Sequence, residues 1–342
     1  MKVFTTNYHI SVNRTLVNDL VAIGLEVVMP SQDFASGRIS FFAPNNEHSQ
    51  VAHMVGPSEF ASMEPMVILI PCTQLVEDFL RIWEARGQVD TLMLLTANSD
   101  HETAWRTVPA DFIISHDLTY HRKRPGKFRI LYFNRPTILR PKKTSDDLRR
   151  SFDERKVKLY INNLEGEQHD GLKPEYEAAV EMRALWKDRT GWQMPLYGYG
   201  NHDGWPSMAD TQDHLVDSMF TFVSKRRETW GQLINESMQL GTPCMFLRPL
   251  LNSTFTEYLI NDDTAILGDT VEELVDKALA LDWDGYQTLV EEAYSQSQMF
   301  CNDDIRREKL RWLFDRAGQA VLSQHGDDML DQQEAGIDPA RD

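Results

Sequence analysis

The chain has 342 residues, of which 42% are hydrophobic and 25% charged, and its formal net charge is −17. At roughly 150 residues per domain, this length predicts two domains. The composition excludes collagen-like, coiled-coil and wholly disordered chains. No stretch reaches the roughly 18 apolar residues of a membrane span, and the first residues lack the apolar run of a signal peptide. Three widely spaced cysteines indicate reduced thiols, so we expect a cytoplasmic protein.

Short apolar runs alternate with helical patterns through the first part of the chain. Helices are predicted at residues 11–23 and 73–86. Residues 31–65 are rich in polar and small side chains, and they predict a long excursion from the strand–helix pattern with a short extra element. Strands are predicted at 2–6, 25–29, 66–70, 91–96 and 110–115. Strands that alternate with helices are typical of a parallel sheet covered on both faces.

A second series of the same kind follows a linker. Residues 121–127, with the sequence HRKRPGK, combine like charges, proline and glycine, which favours a linker. Strands are predicted after it at 128–133, 157–162, 194–199, 220–224, 243–247 and 264–266. Helices are predicted at 146–155, 174–189, 211–218, 230–240, 255–259, 271–281 and 286–314.

These patterns predict an α/β protein with two doubly wound domains. We expect an acceptor-binding domain over residues 1–124 and a nucleotide-binding domain over residues 125–285. Residues 286–320 are expected to form helices that pack back on the first domain, and residues 321–342 an acidic, disordered tail. Ligands of such domains bind beyond the carboxyl ends of the strands, so we expect the site in a cleft between the two domains.

The most informative run covers residues 220–247, FTFVSKRRETWGQLINESMQLGTPCMFL. It predicts a buried strand, a polar loop and a helix that ends at Gly241, where glycine supplies the cap. The first turn of that helix would present free N–H groups, which favour phosphate binding, and Gly231 has no side chain to block a diphosphate. Glu228 and Glu236 lie eight residues apart, the first in the loop and the second in the helix.

The segment resembles the nucleotide-sugar-binding half of GT-B glycosyltransferases, in particular the retaining group that includes glycogen and sucrose synthases. The Glu-x7-Glu and Gly-Thr-Pro elements of that family match Glu228, Glu236 and residues 241–243 in spacing and order. Upstream, residues 128–143 occupy the place of the family's strand–Gly-Arg–loop–Lys pattern. The resemblance covers residues 128–285 and implies the GT-B architecture, two facing Rossmann-like domains with a cleft between them.

The resemblance also implies sugar transfer from a nucleotide-diphosphate sugar, with a UDP-sugar as the expected donor, with retention and with no required metal or other cofactor. Glu236 would accept hydrogen bonds from the ribose hydroxyls, and Glu228 would contact hydroxyls of the donor sugar. Arg135, with Lys142 or Lys143, would neutralise the diphosphate. The implied catalytic residues are Glu228, Arg135 and Lys143, and the implied donor-binding residues are Glu236, Trp230, Gly231, Lys142 and His202.

Polar clusters follow three of the apolar runs in the first part of the chain, where a parallel sheet places ligand contacts. We expect these clusters, with two cations of the linker, to bind or orient the acceptor. The first strand lacks a Gly-x-Gly turn, which disfavours a nicotinamide-dependent dehydrogenase. The expected acceptor-binding residues are His9, Asp100, His101, His116, Arg122 and Arg124.

Basic residues are concentrated in one segment of this acidic chain. Residues 121–158 carry fourteen Lys and Arg against four acidic residues, a net of +10 that leaves −27 for the remainder. Fourteen cations are more than a diphosphate requires, and this excess predicts a polyanionic acceptor. In its size, two-domain architecture and basic segment the chain loosely resembles the phage DNA glycosyltransferases, which modify hydroxymethylated pyrimidines. A saccharide, lipid or small-molecule acceptor stays open, as do a non-catalytic nucleotide- or sugar-binding module and a merely solvated basic helix face.

Overall fold

The structure is a computed structural model of the 342-residue chain. It divides into two compact units, Met1–Asn134 with Asp303–Asp342, and Arg135–Asn302. The residues that the structure describes are 1–5, 10–31, 52–63, 66–70, 91–97, 112–115, 128–132, 136, 138–160, 173–198, 203–204, 206–224, 232–251 and 259–322. The helix predicted at 73–86, most of that at 255–259 and nearly all of the acidic tail lie outside the described residues.

The first unit is built on a sheet whose seven described strands are all parallel, in the order β3-β2-β1-β4-β5-β6-β7. The strands are β1 (Lys2–Phe4), β2 (Glu26–Pro30), β3 (His53–Val55), β4 (Met66–Ile70), β5 (Thr91–Ala97), β6 (Phe112–Ser115) and β7 (Phe128–Leu131). The helices α1 (Ile10–Ala22) and α2 (Pro57–Ser62) follow β1 and β3. The excursion predicted at 31–65 thus holds both a strand and a helix. Val3 and Phe4 are fully buried, as expected for a strand inside a parallel sheet.

Strand β7 lies in the first sheet, although we expected residues 128–133 to begin the second domain. It pairs with β6 from Phe112 opposite Phe128 to Ser115 opposite Leu131. An apolar strand satisfies its backbone groups equally well at the edge of either sheet, so its own sequence does not determine which sheet it joins. The boundary between the units therefore falls at residues 134–135 instead of 124–125.

The second unit has a sheet of five described parallel strands in the order β12-β11-β10-β8-β9. The strands are β8 (Val157–Tyr160), β9 (Leu196–Tyr197), β10 (Phe220–Val223), β11 (Cys244–Leu247) and β12 (Ala265–Gly268). The helices are α3 (Ser145–Glu154), α4 (Lys173–Thr190), α5 (Met208–Asp217), α6 (Gln232–Leu240), α7 (Val271–Ala280) and α8 (Trp283–Phe300).

Helices cover both faces of this second sheet. Helix α4 packs with α7, whereas α3, α5, α6 and α8 pack with one another. Right-handed crossovers between parallel strands place these two groups on opposite faces. The core includes the fully buried aromatic side chains of Trp186, Phe220, Phe222 and Tyr286, so the central strand β10 is enclosed by protein on both faces.

The helical region predicted at 286–314 is two helices that belong to different units. Helix α8 ends at Phe300 and packs on α6 and α3 in the second unit, so it does not pack on the first domain as we expected. The next helix, α9 (Asp303–Leu322), belongs to the first unit, where it packs on α1 and β7. Apolar periodicity runs through both helices, and it carries no signal for the break at Cys301. No helix in the described part of the chain is long and apolar enough to cross a membrane.

A buried carboxylate anchors α9 in the first unit. Asp19 of α1 is 2% exposed and accepts hydrogen bonds from Arg306 Nε at 3.0 Å, Arg307 Nε at 2.9 Å and the Tyr132 hydroxyl at 2.9 Å. Arg306 is itself 3% exposed. Three donors thus compensate the burial of one carboxylate, which is the condition for tolerating a buried charge.

Replacing Asp19 by Asn should lower the free energy of unfolding by about 1–3 kcal/mol, because the buried Arg306 guanidinium loses one of its two carboxylates and keeps only Asp303, at 2.8 Å. The control is Glu26→Gln, which removes the partly exposed ion pair with Lys2 at 3.4 Å and should lower the same quantity by less than about 1 kcal/mol. Urea unfolding followed by circular dichroism measures both changes. Equal, small effects of the two substitutions would contradict the anchoring role of Asp19.

Candidate functional site

The structure describes three of the residues that the sequence named as site candidates: Lys142, Lys143 and Glu236. The remaining candidates lie outside the described residues, and their roles stay predictions. These candidates are Glu228, Arg135, Trp230, Gly231, His202, His9, Asp100, His101, His116, Arg122 and Arg124.

Glu236 is carried by α6, the helix that follows β10, the central strand of the second sheet. A helix that follows a parallel strand begins near the carboxyl end of that strand, where doubly wound sheets bind their ligands. The hydroxyls of Ser237 and Thr221, 2.6 Å apart, join α6 to β10. The helix ends as the sequence predicted, at Gly241, whose φ of +84° is a conformation that glycine adopts without strain.

The last seven residues of helix α6 are enclosed by protein. Residues 234–240 are all buried, including the polar side chains of Asn235, Glu236, Ser237 and Gln239. A helix that packs only against a sheet would present one polar face to solvent. The polar residues of α6 therefore face protein groups or a ligand.

The side chain of Glu236 is buried, and its charge is only partly compensated. Its side chain is 7% exposed, and among the described residues it has no hydrogen-bond or ion-pair partner. Burial raises the pKa of Glu236 to about 7, and the positive charge of Lys158 partly opposes this rise. A buried carboxylate that keeps a raised pKa is typical of a functional site, because folding alone would favour a neutral side chain there.

Lys158 of β8 lies on the face of the second sheet that α6 covers. In the sequence it was only one cation of the basic segment. It is 1% exposed, and its ammonium donates to the carbonyl of Thr211 in α5 at 3.2 Å. In the sheet it stands opposite Thr221, whose hydroxyl contacts α6, so both side chains point to the α6 face. Burial lowers the pKa of Lys158 to about 7, and the charges of Glu236 and Asp210 oppose that change. The sequence signal that could have identified this buried lysine is its position between Val157 and Leu159, in a strand whose other residues are apolar or aromatic.

The ring of Tyr197 lies against the Lys158 ammonium, and His214 stacks on that ring. The Tyr197 ring centroid lies 4.8 Å from Lys158 Nζ, and the Tyr197 hydroxyl lies 3.1 Å from Nε2 of His214. Burial, and then the positive charge of Lys158, lower the pKa of His214. Lys158, Tyr197 and His214 line a cleft of about 340 Å³ that Trp192 and Lys156 also line. The histidine is therefore biased towards its neutral form beside the buried lysine.

Lys142 and Lys143 do not lie where the diphosphate is expected. The backbone N–H of Lys143 donates to Leu240, at the last turn of α6. Its ammonium is buried and donates to the carbonyl of Ser218, just before β10, and burial lowers its pKa to about 7. The ammonium of Lys142 lies 3.7 Å from the ring centroid of Tyr294. Both lysines therefore lie at the amino edge of the second sheet, about 13 Å of helix from the first turn of α6.

This placement corrects the implied diphosphate roles of Lys142 and Lys143. Those roles were inferred by matching residues 128–133 to the strand that precedes the family's Gly-Arg loop. In the structure that strand belongs to the first sheet. The segment after it enters α3, and α3 precedes β8 instead of following a strand of the second sheet.

Four of the described cations of the basic segment pair with carboxylates of the protein. Arg140 makes a two-pronged contact with Asp213, and Lys156 pairs with Asp217 at 3.1 Å. The exposed face of α3 carries the pairs Arg149–Asp153 at 3.1 Å and Arg150–Asp147 at 3.3 Å. These four cations are therefore already paired with carboxylates of the same unit.

Glu236→Gln should stabilise the protein at high pH. The folded-state pKa of about 7 lies above the ordinary 4.5, so ionisation of Glu236 reduces stability as the pH rises from about 4.5 to about 7. Glutamine cannot ionise, and we expect a gain of about 2–3 kcal/mol in the free energy of unfolding at pH 8 but less than about 1 kcal/mol at pH 5. Urea unfolding at the two pH values measures the gain, with the exposed Glu292→Gln as control. A loss of stability at pH 8 would show that the carboxylate has a structural partner.

No protein-family model and no curated protein matches this chain, but solved structures share its fold. Sucrose-phosphate synthase from Thermosynechococcus elongatus aligns with a TM-score of 0.59 and 14% identity over 93% of this chain and 99% of its own. An alpha-glucosyltransferase in complex with UDP-glucose and DNA containing an abasic site aligns with a TM-score of 0.54 and 10% identity over 93% and 98%. TarM from S. aureus, in complex with UDP, gives 0.55 and 11% over 73% of this chain, which spans about 55% of TarM. With two parallel-sheet units, the predicted α/β fold of the GT-B class is confirmed.

Proposed function

We propose that this protein is a glycosyltransferase that moves a sugar from a UDP-sugar to an acceptor hydroxyl. The observation that carries the proposal is the buried carboxylate of Glu236, which has no hydrogen-bond or ion-pair partner among the described residues, on the helix after the central strand of a GT-B sheet. A ribose presents two neighbouring hydroxyl donors, and an ionised carboxylate accepts both in short, charge-assisted hydrogen bonds. The neighbours of similar fold whose structures contain UDP or UDP-glucose support the same class of donor.

The proposed donor site extends from Glu236 towards the first turn of α6. The run 225–231 connects the carboxyl end of β10 with the amino end of α6, and it contains Glu228, Trp230 and Gly231. Free backbone N–H groups and the helix dipole at this end of α6 favour the diphosphate. We assign Glu228 to the hydroxyls of the donor sugar, Arg135 to the leaving diphosphate and His202 to a further donor contact, on the resemblance of the sequence.

The reaction that we propose needs positioning and stabilisation of the departing charge more than a strong base. The acceptor oxygen forms a bond to the anomeric carbon, the bond from that carbon to the diphosphate breaks, and the acceptor proton passes to the leaving phosphate. Donors preorganised around the phosphate stabilise the charge that develops there. We propose retention of configuration on the resemblance to the glycogen- and sucrose-synthase group.

UDP should bind and stabilise the wild-type protein, and Glu236→Ala should weaken binding by about 10–100-fold, because the ribose hydroxyls lose a charged acceptor. A thermal-shift titration with UDP measures the effect, since a ligand at 100 times its Kd adds about 2.7 kcal/mol of stability. Glu292→Ala, on the exposed face of α8, is the control and should bind UDP like the wild type. Equal affinity of Glu236→Ala and wild type would exclude the assignment of the ribose contact.

As acceptor we propose a hydroxymethylated pyrimidine in duplex DNA. Between residues 122 and 135 the chain has six Lys and Arg and no acidic residue, so cations there have no local sequence partner. The alpha-glucosyltransferase that shares the fold is in complex with DNA containing an abasic site. Contacts of Lys and Arg with phosphates would hold the duplex while polar side chains orient the hydroxyl. For these contacts we propose Arg122 and Arg124, with His9, Asp100, His101 and His116 beside the acceptor.

Transfer of labelled sugar from UDP-glucose should occur to DNA that contains 5-hydroxymethylcytosine and not to unmodified DNA. Binding to DNA should weaken steeply between 50 and 200 mM salt, and removing all four cations at 122–127 by alanine should reduce the slope of log K against log salt by about 3–4. Filter-binding titrations measure this slope.

The alternatives give other results in the same assays. An absence of DNA binding even at low salt, together with transfer to a saccharide, lipid or small molecule, would replace the acceptor and keep the enzyme class. Binding of UDP-glucose without its hydrolysis or transfer in any of these mixtures would instead indicate a non-catalytic binding module.

A further inference from the structure

The second unit has a cleft of about 340 Å³ at the amino edge of its sheet. Residues that precede three neighbouring strands line this amino-edge cleft: Lys156 before β8, Trp192 and Pro195 before β9, and Ser218 before β10. Doubly wound sheets bind their ligands at the opposite, carboxyl edge, where the proposed donor site lies. The cleft is therefore a separate cavity, and its volume lies within the range of small-molecule sites, about 300–1,000 Å³.

Two acceptor groups of the cleft wall already have donors. The Asp217 carboxylate accepts a hydrogen bond from Lys156 at 3.1 Å, and Arg150 lies 3.9 Å from its other oxygen. The carbonyl of Ser218 accepts a hydrogen bond from the buried ammonium of Lys143. Because these contacts already compensate the negative charge of the wall, the cleft does not favour a cationic ligand.

Two buried donors of the wall, by contrast, have unused hydrogen-bonding capacity among the described residues. The indole N–H of Trp192 is buried and has no hydrogen-bond partner there. The ammonium of Lys158 carries three N–H groups, and in the described part of the chain one hydrogen bond engages it, to the carbonyl of Thr211 at 3.2 Å. A buried donor without an acceptor costs free energy, and a ligand that presents acceptor oxygens removes this cost.

The surroundings of these donors are positive or apolar. The ring centroid of Tyr197 lies 4.8 Å from Lys158 Nζ, and that of Trp192 lies 5.4 Å from Lys156 Nζ. A carbonyl and an aromatic face both stabilise the Lys158 cation without neutralising it. Pro195 adds apolar surface to the wall. An anionic group therefore fits beside Lys158, and an apolar group fits beside Tyr197 and Pro195.

We propose that the amino-edge cleft binds a small organic anion, whose oxyanion group accepts hydrogen bonds from the Lys158 ammonium and the Trp192 indole N–H and whose apolar part contacts Pro195 and Tyr197. Phosphate monoesters and carboxylates share this chemistry. The volume of about 340 Å³ exceeds what an oxyanion alone requires, which favours a ligand with an organic part. The inference goes beyond the proposed function and does not depend on it, because the donor is proposed to bind at the other edge of the sheet.

The test uses phenyl phosphate and benzoate, two anions with the same apolar ring, in ligand-observed NMR titrations at pH 6. This pH lies below the pKa of about 7 to which burial lowers Lys158, so the ammonium is charged. At least one of the two anions should bind the wild type, and the tighter one identifies the oxyanion as phosphate or carboxylate. Inorganic phosphate, without the ring, and benzyl alcohol, without the charge, should each bind at least about tenfold more weakly.

Lys158→Met removes the charged donor and should weaken binding by about 10–100-fold, whereas Trp192→Phe removes only the indole N–H and should weaken it by about 2–10-fold. Lys277→Met and Trp283→Phe are the matched controls and should bind like the wild type, because neither residue lines the cleft. The ammonium of Lys277 also donates to a strand carbonyl, that of Leu267 at 2.8 Å. Lys158→Gln takes the place of Lys158→Met if the methionine variant does not fold.

The outcomes decide between this cleft and the donor site. Retained binding in the presence of saturating UDP, together with the losses in the two cleft variants, supports a second site. Competition by UDP, or loss of binding in Glu236→Ala, overturns the proposal, because the anion would then occupy the donor site. Unchanged affinity in Lys158→Met or in Trp192→Phe also overturns it, as does failure of both anions to bind the wild type.

Discussion

The second unit encloses a carboxylate in a layer that offers it one cation and, among the described residues, no hydrogen-bond donor. Burial without donors raises the pKa of Glu236 to about 7, so the folded protein is less stable whenever that group is ionised. A ligand with paired hydroxyls reverses the balance, because it supplies the missing donors to the charged form. Stability given up at one position is a recurrent property of binding sites. The proposed selectivity for a ribose depends on this one unsatisfied group.

The remainder of the fold keeps that carboxylate in place. The central position of β10 encloses α6 between the sheet and the helices α5 and α8, so every residue from 234 to 240 is buried. The hydroxyl contact between Ser237 and Thr221 joins the helix to the strand. In the first unit, by contrast, a buried carboxylate is fully hydrogen-bonded. Asp19 accepts three hydrogen bonds, two of them from arginines of α9, and so fixes α9 against α1. The contrast between a fully and a partly compensated carboxylate distinguishes a structural role from the proposed functional one.

Local sequence patterns predicted the features that depend on local chemistry. The alternation of strands and helices gave the two parallel sheets, and the glycine at 241 gave the end of α6. The spacing of Glu228 and Glu236 placed the second glutamate correctly within that helix. Each of these features depends on residues that are close in the chain, whose periodicity or backbone freedom can be read directly.

Features that depend on distant residues were not predictable in the same way. The membership of β7 in the first sheet depends on pairing with β6, and pairing leaves no mark on the apolar pattern of the strand. That error also misplaced Lys142 and Lys143, whose positions had been counted from the same strand. The buried position of Lys158 depends on Thr211 and Tyr197, which belong to two other elements.

A direct measurement of the central claim is the titration of the Glu236 carboxyl by carbon-13 NMR, with the signal identified by its loss in Glu236→Gln. We expect the Glu236 signal to titrate near pH 7 in the free protein. We also expect saturating UDP to move this transition to lower pH, because ribose hydroxyls stabilise the charged form. A transition near the ordinary value of 4.5, or one that UDP leaves in place, would contradict the account.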